Sequence, residues 1–177
     1  FEYPDQPMDR GKVLWEKDLD AIYEKIGGKW GRYLDVDGDG IPYRTLPGNL
    51  DPRSAYFARG TGHDEYSGYS EDPDVWERNM QRLAKKFETA VQYMPKPIIS
   101  TMDGAEFGII AIGTSDPAIE EARALLLKRD IPSDYMRILG TPFTPEVGEF
   151  IKAHQRLYVI EMNRDGQLRQ ILLVNYP

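Results

Sequence analysis

Cysteine is absent from the 177 residues. Disulfides and thiol nucleophiles are therefore excluded, as are the thiolates that hold iron–sulfur clusters. Such a composition fits a cytoplasmic protein. Histidine is almost as scarce: His63 and His154 stand far apart in different kinds of segment, which argues against a His-rich zinc site. No apolar run approaches the ~20 residues that a membrane span requires. Lys and Arg gather no further than Lys85-Lys86 and Lys128-Arg129, and the net charge is −7. That balance repels nucleic acid and anionic membranes. Neither a Gly-x-Gly-x-x-Gly nor a Walker loop occurs, so nucleotide binding has no support. What remains is a soluble globular composition, 41 % hydrophobic and 29 % charged, long enough for one domain or for one domain with an arm. The opening Phe1-Glu2-Tyr3-Pro4 is polar and proline-broken, unlike a signal peptide, and the missing Met suggests part of a longer or processed protein.

Residues 1–71 show no sustained periodicity, and Pro and Gly recur throughout (Pro4, Pro7, Gly27, Gly28, Pro42, Pro47, Pro52 among them). One helix is predicted at about 17–26, where Leu19, Ile22, Tyr23 and Ile26 share a face. The stretch reads as an irregular arm that wraps a neighbouring domain or subunit. Within it, Asp35-Val36-Asp37-Gly38-Asp39-Gly40 matches the first half of an EF-hand calcium loop. The twelfth position, which should supply a bidentate Glu, is Leu46, and Pro42 interrupts the chain. A polar turn is favoured over a weak calcium site. Further on, His63 stands beside Asp64 and Glu65, a set able to do general acid–base work if the side chains converge. Sequence neighbours on extended chain point apart, so a polar loop meeting a partner is the favoured reading.

From residue 72 the character changes, and 72–177 reads as a long helix followed by an α/β domain. Asp72-Pro73 opens the helix, and Trp76, Met80, Leu83, Phe87, Val91 and Met94 repeat at helical spacing until Pro95. A Met-and-aromatic stripe of this kind is expected to be core. Strands are then predicted at 97–99, 107–112, 135–139 and 157–162, with helices from Asp116-Pro117, Thr144-Pro145 and Gly166 between and after them. This alternation predicts a parallel sheet with helices on both faces. The run Leu157-Tyr158-Val159-Ile160 reads as a strand buried on both faces. It stops at Glu161-Met162-Asn163, a polar loop at the carboxyl end of a strand, where α/β folds meet ligands and partners. Asn163, Gly166 and Gln167 are the candidates there, against the plainer reading that Asn163, Asp165 and Gly166 make a turn and cap the helix.

Several of these stretches together resemble a known family. They are Gly108-Ile-Ile-Ala-Ile-Gly113-Thr-Ser, Glu120-Glu-Ala122-Arg-Ala-Leu-Leu, Val159-Ile-Glu161-Met-Asn163 and Gly166-Gln167-Leu168. They look like a transketolase carboxy-terminal domain, as found in the alpha subunit of 2-oxoacid:ferredoxin oxidoreductases of the 2-oxoglutarate type. Upstream, Asp9-Arg-Gly-Lys-Val-Leu14, Gly40-Ile-Pro42-Tyr-Arg44, Leu46-Pro-Gly48 and Gly62-His-Asp-Glu65 resemble the linker ahead of that domain. The resemblance implies a three-layer α/β/α fold with a mostly parallel, mixed sheet whose first strand, at 97–99, runs antiparallel. It places a fifth strand after residue 177, leaving the sheet incomplete. It also implies a thiamine diphosphate enzyme with magnesium and iron–sulfur clusters, forming acyl-CoA and passing electrons to ferredoxin. Those groups and the catalytic residues would lie in an upstream pyrimidine-binding domain and in a beta subunit, so none is assigned here. His63, Asp64, Glu65, Asn163, Gly166 and Gln167 stand as interface or loop candidates in an oligomeric assembly. The alternative is a free-standing α/β binding domain with a weak calcium loop.

Overall fold

The computed structural model describes residues 9–177; the expectations at Pro4 and Pro7 lie outside them. The chain divides into two compact units, one ending at Thr89 and the other spanning Ala90–Pro177. The long helix therefore groups with the irregular stretch before it, whereas the sequence pattern had joined it to the α/β part.

In the second unit, β1 (Ile98–Ser100), β2 (Gly108–Ile112), β3 (Asp134–Ile138) and β4 (Leu157–Ile160) form a sheet of order β1-β3-β2-β4. β1 runs antiparallel to β3, while β2 is parallel to β3 and β4. Side-chain alternation sends neighbours on a strand to opposite faces. Ile109, Ala111 and Tyr135 meet Ile119 of α3 (Asp116–Leu127) on one face. On the other, Ile110, Met136 and Ile138 meet α4 (Pro145–Ala153) through Val147 and Phe150, and α5 (Gln167–Asn175) through Leu168 and Leu172. The result is a three-layer α/β/α unit, as expected. One expectation fails. β4 is half-buried on one face and open on the other, for Tyr158 and Ile160 remain 47 % and 44 % exposed. The cause is topological: β4 is an edge strand among the described residues, and α3 packs over β2 and β3 beside it.

The first unit has its own small core. α1 (Leu19–Lys25), preceded by a 3-10 turn at Glu16–Asp18, buries Leu19 and Ile22 against Leu14 and Trp30. Little regular pairing supports this core; the bridges are Val13 to Arg44 and His63 to Tyr69. The rest is carried by α2 (Pro73–Ala90), where the sequence misleads. Trp76 and Phe87 of its apolar stripe are 63 % and 60 % exposed, so the stripe is not core in the described chain. The helix instead turns a polar side inward. Asn79 is buried and donates to the His63 carbonyl at 2.6 Å, Arg82 donates to the Gly40 carbonyl at 3.1 Å, and Thr89 to the Asp39 carbonyl at 2.7 Å. Gly40 is what permits this approach. Its φ is +77°, and a Cβ there would strike the α2 backbone at Arg82 and Lys86.

Candidate functional site

The Asp35–Asp39 loop is folded around its own cation. Asp35 accepts the backbone N–H groups of Gly38 and Gly40, both at 2.9 Å, and so shapes the turn. Asp37 and Asp39 close on the Lys12 ammonium, each at 2.7 Å, and Asp37 also meets Lys25 at 2.5 Å. The hydrogen bonds from Lys12 and then Lys25 hold the Asp37 carboxyl far below the usual carboxylate range. The carboxylates that would face a calcium ion thus already face lysine. Lys12 lies 25 residues upstream of Asp37, a separation at which nothing in the sequence links the two.

The His63–Glu65 set does not converge. The His63 ring donates from Nδ1 to the Asp64 main-chain oxygen at 2.9 Å and stacks on Tyr33 with centroids 4.1 Å apart. The Asp64 carboxylate turns away to accept the N–H groups of Tyr66 at 2.9 Å and Gly68 at 2.7 Å. Glu65 pairs with Arg78 of α2 at 2.9 Å, and that hydrogen bond lowers its pKa. Each member holds the loop together or ties it to the helix. None is aligned as an acid or base for a neighbour, so the set has no geometry for general acid–base work here.

At the end of β4 the turn forms, but the helix cap comes from an unexpected residue. Asn163 accepts the N–H of Asp165 at 3.0 Å and donates to Gln167 at 2.8 Å, and Gly166 adopts φ 64°. The free N–H groups of α5 go instead to Glu161, whose carboxylate accepts from Leu168 at 2.8 Å and Arg169 at 3.3 Å. A carboxylate there satisfies orphan donors and opposes the positive end of the helix dipole. A Glu five residues ahead of the N-cap is outside the usual capping pattern, and only the strand-to-helix reversal brings it back. Asn163, Gly166 and Gln167 belong to the second unit, and His63, Asp64 and Glu65 to the first.

Two further side chains escaped the sequence. Arg123 of α3 is buried and meets no carboxylate among the described residues; it donates to the carbonyls of Ser133 at 2.7 Å and Ser100 at 3.1 Å and pins the helix to the β1–β3 edge. His154 sets Nδ1 on the Phe150 carbonyl at 2.7 Å and Nε2 on Asp134 at 3.0 Å, joining the end of α4 to the start of β3. Beside the open face of β4 lies an apolar groove of about 800 Å³, lined by Ile119, Ala122 and Leu126 of α3 and by Tyr158, Ile160 and Met162. A smaller hollow of about 320 Å³ lies on the opposite face, against Leu157, Val159 and Leu172.

The chain is 26 % identical, over 171 residues, to "2-oxoacid:ferredoxin oxidoreductase 2, subunit alpha" of Aeropyrum pernix. It is homologous to part of that alpha subunit. The alignment takes in 94 % of this chain but 24 % of the relative, so the chain spans about a quarter of the archaeal subunit's length. The fold agrees. The 2-oxoglutarate:ferredoxin oxidoreductase of Magnetococcus marinus, solved with 2-oxoglutarate, coenzyme A and succinyl-CoA bound, superposes with a TM-score of 0.69. That match covers 84 % of this chain and 26 % of the other, at 22 % identity. No family model matches the sequence.

Proposed function

We propose that this chain is the linker and transketolase-like carboxy-terminal part of the alpha subunit of a 2-oxoacid:ferredoxin oxidoreductase, with 2-oxoglutarate as the substrate. The observation that carries the reading is the homology along 94 % of the chain to the alpha subunit of a 2-oxoacid:ferredoxin oxidoreductase. The whole enzyme would cleave carbon dioxide from the 2-oxoacid, transfer the acyl group to coenzyme A and pass two electrons to ferredoxin. Thiamine diphosphate with magnesium would supply the carbanion chemistry, and iron–sulfur clusters the electron path. The residues present do not fit these groups. No Cys is available for a cluster, and the acidic loop at Asp35–Asp39 is neutralised by Lys12 and Lys25. The role of this part is therefore architectural: it positions the catalytic domains and meets the beta subunit through surfaces that include the His63–Glu65 and Asn163–Gln167 loops. Among the described residues no helix is long and apolar enough to cross a membrane, and we assign the complex to the cytoplasm.

The test is an assay of 2-oxoglutarate- and CoA-dependent reduction of an artificial acceptor. It compares residues 1–177 alone with the full-length chain purified together with its partner subunit. Turnover is expected only from the complex. Turnover by residues 1–177 alone, or an inactive complex with its cofactors loaded, would overturn the reading.

A further inference from the structure

The net charge of −7 conceals a local exception. In the first unit Lys12, Lys25, Arg53, Arg78 and Lys85 pair with carboxylates; Lys29, Arg32 and Arg59 are among the cations that form no ion pair among the described residues. Each of the three lies over aromatic rings instead. Lys29 Nζ is 4.0 Å from the centre of Tyr66. The Arg32 guanidinium is 5.7 Å from both Tyr33 and Tyr56, and that of Arg59 is 5.2 Å from Phe57 and 5.8 Å from Tyr69. These contacts form one surface. The Tyr33 hydroxyl accepts the Arg59 N–H at 3.2 Å, the Tyr33 N–H donates to the Glu65 carbonyl at 3.1 Å, and Tyr66 packs against Gly31.

Guanidinium groups laid on rings are pre-organised, and their positive charge is incompletely satisfied. A carboxylate that arrives from outside completes the pair without breaking another. Carboxylates of the same loop are engaged elsewhere: Asp64 by backbone N–H groups, Glu65 by Arg78, and Glu71 by the Tyr69 hydroxyl. The rings themselves are presented outward, with Phe57 and Tyr69 at 65 % and 60 % exposure. Tyr and Arg are the residues that most often dominate binding energy at protein interfaces, since rigid rings lose little entropy on contact. A long polyanion such as nucleic acid is disfavoured by the overall negative field.

We propose that this cation–aromatic face docks an acidic protein segment, whose carboxylates meet Arg32 and Arg59 while its apolar side chains cover Phe57 and Tyr56. The inference rests on the functional reading above, in which the partner is another subunit of the same complex. It is tested on the full-length chain and its partner subunit by measuring their dissociation constant for wild type, Arg32→Glu/Arg59→Glu and Arg32→Gln/Arg59→Gln. Charge reversal should weaken association about 30-fold and neutralisation about 5-fold, with a flatter salt dependence between about 50 and 300 mM. Lys152→Glu, an exposed position on α4 of the second unit, should change nothing. Circular dichroism checks folding; if the reversed variant fails to fold, the Gln variant decides. A dissociation constant unchanged within about twofold in a folded variant overturns the proposal. So does intact association with a tenfold rise in the KM for CoA, which would make the face a phosphate site. Turnover of the wild-type complex, followed in parallel, reports on the functional reading separately: an inactive but salt-sensitive, Arg32-dependent complex would sink that reading alone.

Discussion

Lys12 shows how one side chain decides the fate of a motif. Its ammonium sits where the Asp37 and Asp39 carboxylates converge, and it keeps Asp37 ionised into strong acid. A carboxyl whose folded pKa lies below its unfolded value stabilises the fold above that unfolded value, here 3.8, and loses the contribution as pH falls through the lower folded value. Lys12→Met should therefore cost about 1 kcal/mol at neutral pH, because the pair is partly screened and Lys25 remains. The gap between variant and wild type should narrow below about pH 4 and vanish in stronger acid, as urea titrations across the pH range would show. Calorimetry with calcium should find no site tighter than about millimolar, since Leu46 replaces the bidentate ligand; micromolar binding would show that the lysine yields to the metal.

At the scale of elements, the sequence was informative wherever an element's apolar face meets its own sheet. Strand–helix alternation and proline-led helix starts were legible because β2, β3, α3, α4 and α5 bury their apolar faces within one unit; the antiparallel direction of the first strand came from the family resemblance alone. It misled at α2 and β4, whose apolar residues stay exposed, because periodicity reports that a face is apolar and not what covers it. The tethers Lys12, Glu161 and His154 were illegible for another reason: each acts on a residue brought near only by the completed fold. Two variants probe α2. Phe87→Ser should cost under about 0.5 kcal/mol, as befits an exposed side chain, against roughly 3–5 kcal/mol for a buried Phe. A loss above 2 kcal/mol in denaturant unfolding would show the stripe to be packed. Gly40→Ala should be far more damaging, about 2–4 kcal/mol, through a strained positive φ and collision with the α2 backbone, and the same unfolding curves would report it.

For the whole molecule, the two units carry separate cores, around Leu19 in one and Met136 in the other, both fully buried. Leu19→Ala and Met136→Ala should each cost about 2–5 kcal/mol and act independently. Hydrogen exchange would read this as lost protection confined to residues before Thr89 for the first and to residues after it for the second. Protection lost across both units from either change would contradict the division. The edge of β4 has a consequence for whatever completes the sheet. Largely apolar hollows lie on both of its faces, so a strand laid alongside would set side chains of both directions against mostly apolar surface. Its sequence would then lack the in-out rhythm of a surface strand. An unbroken run of four or five aliphatic residues is the signature to seek, and a single lysine placed anywhere in it would be enough to keep it away.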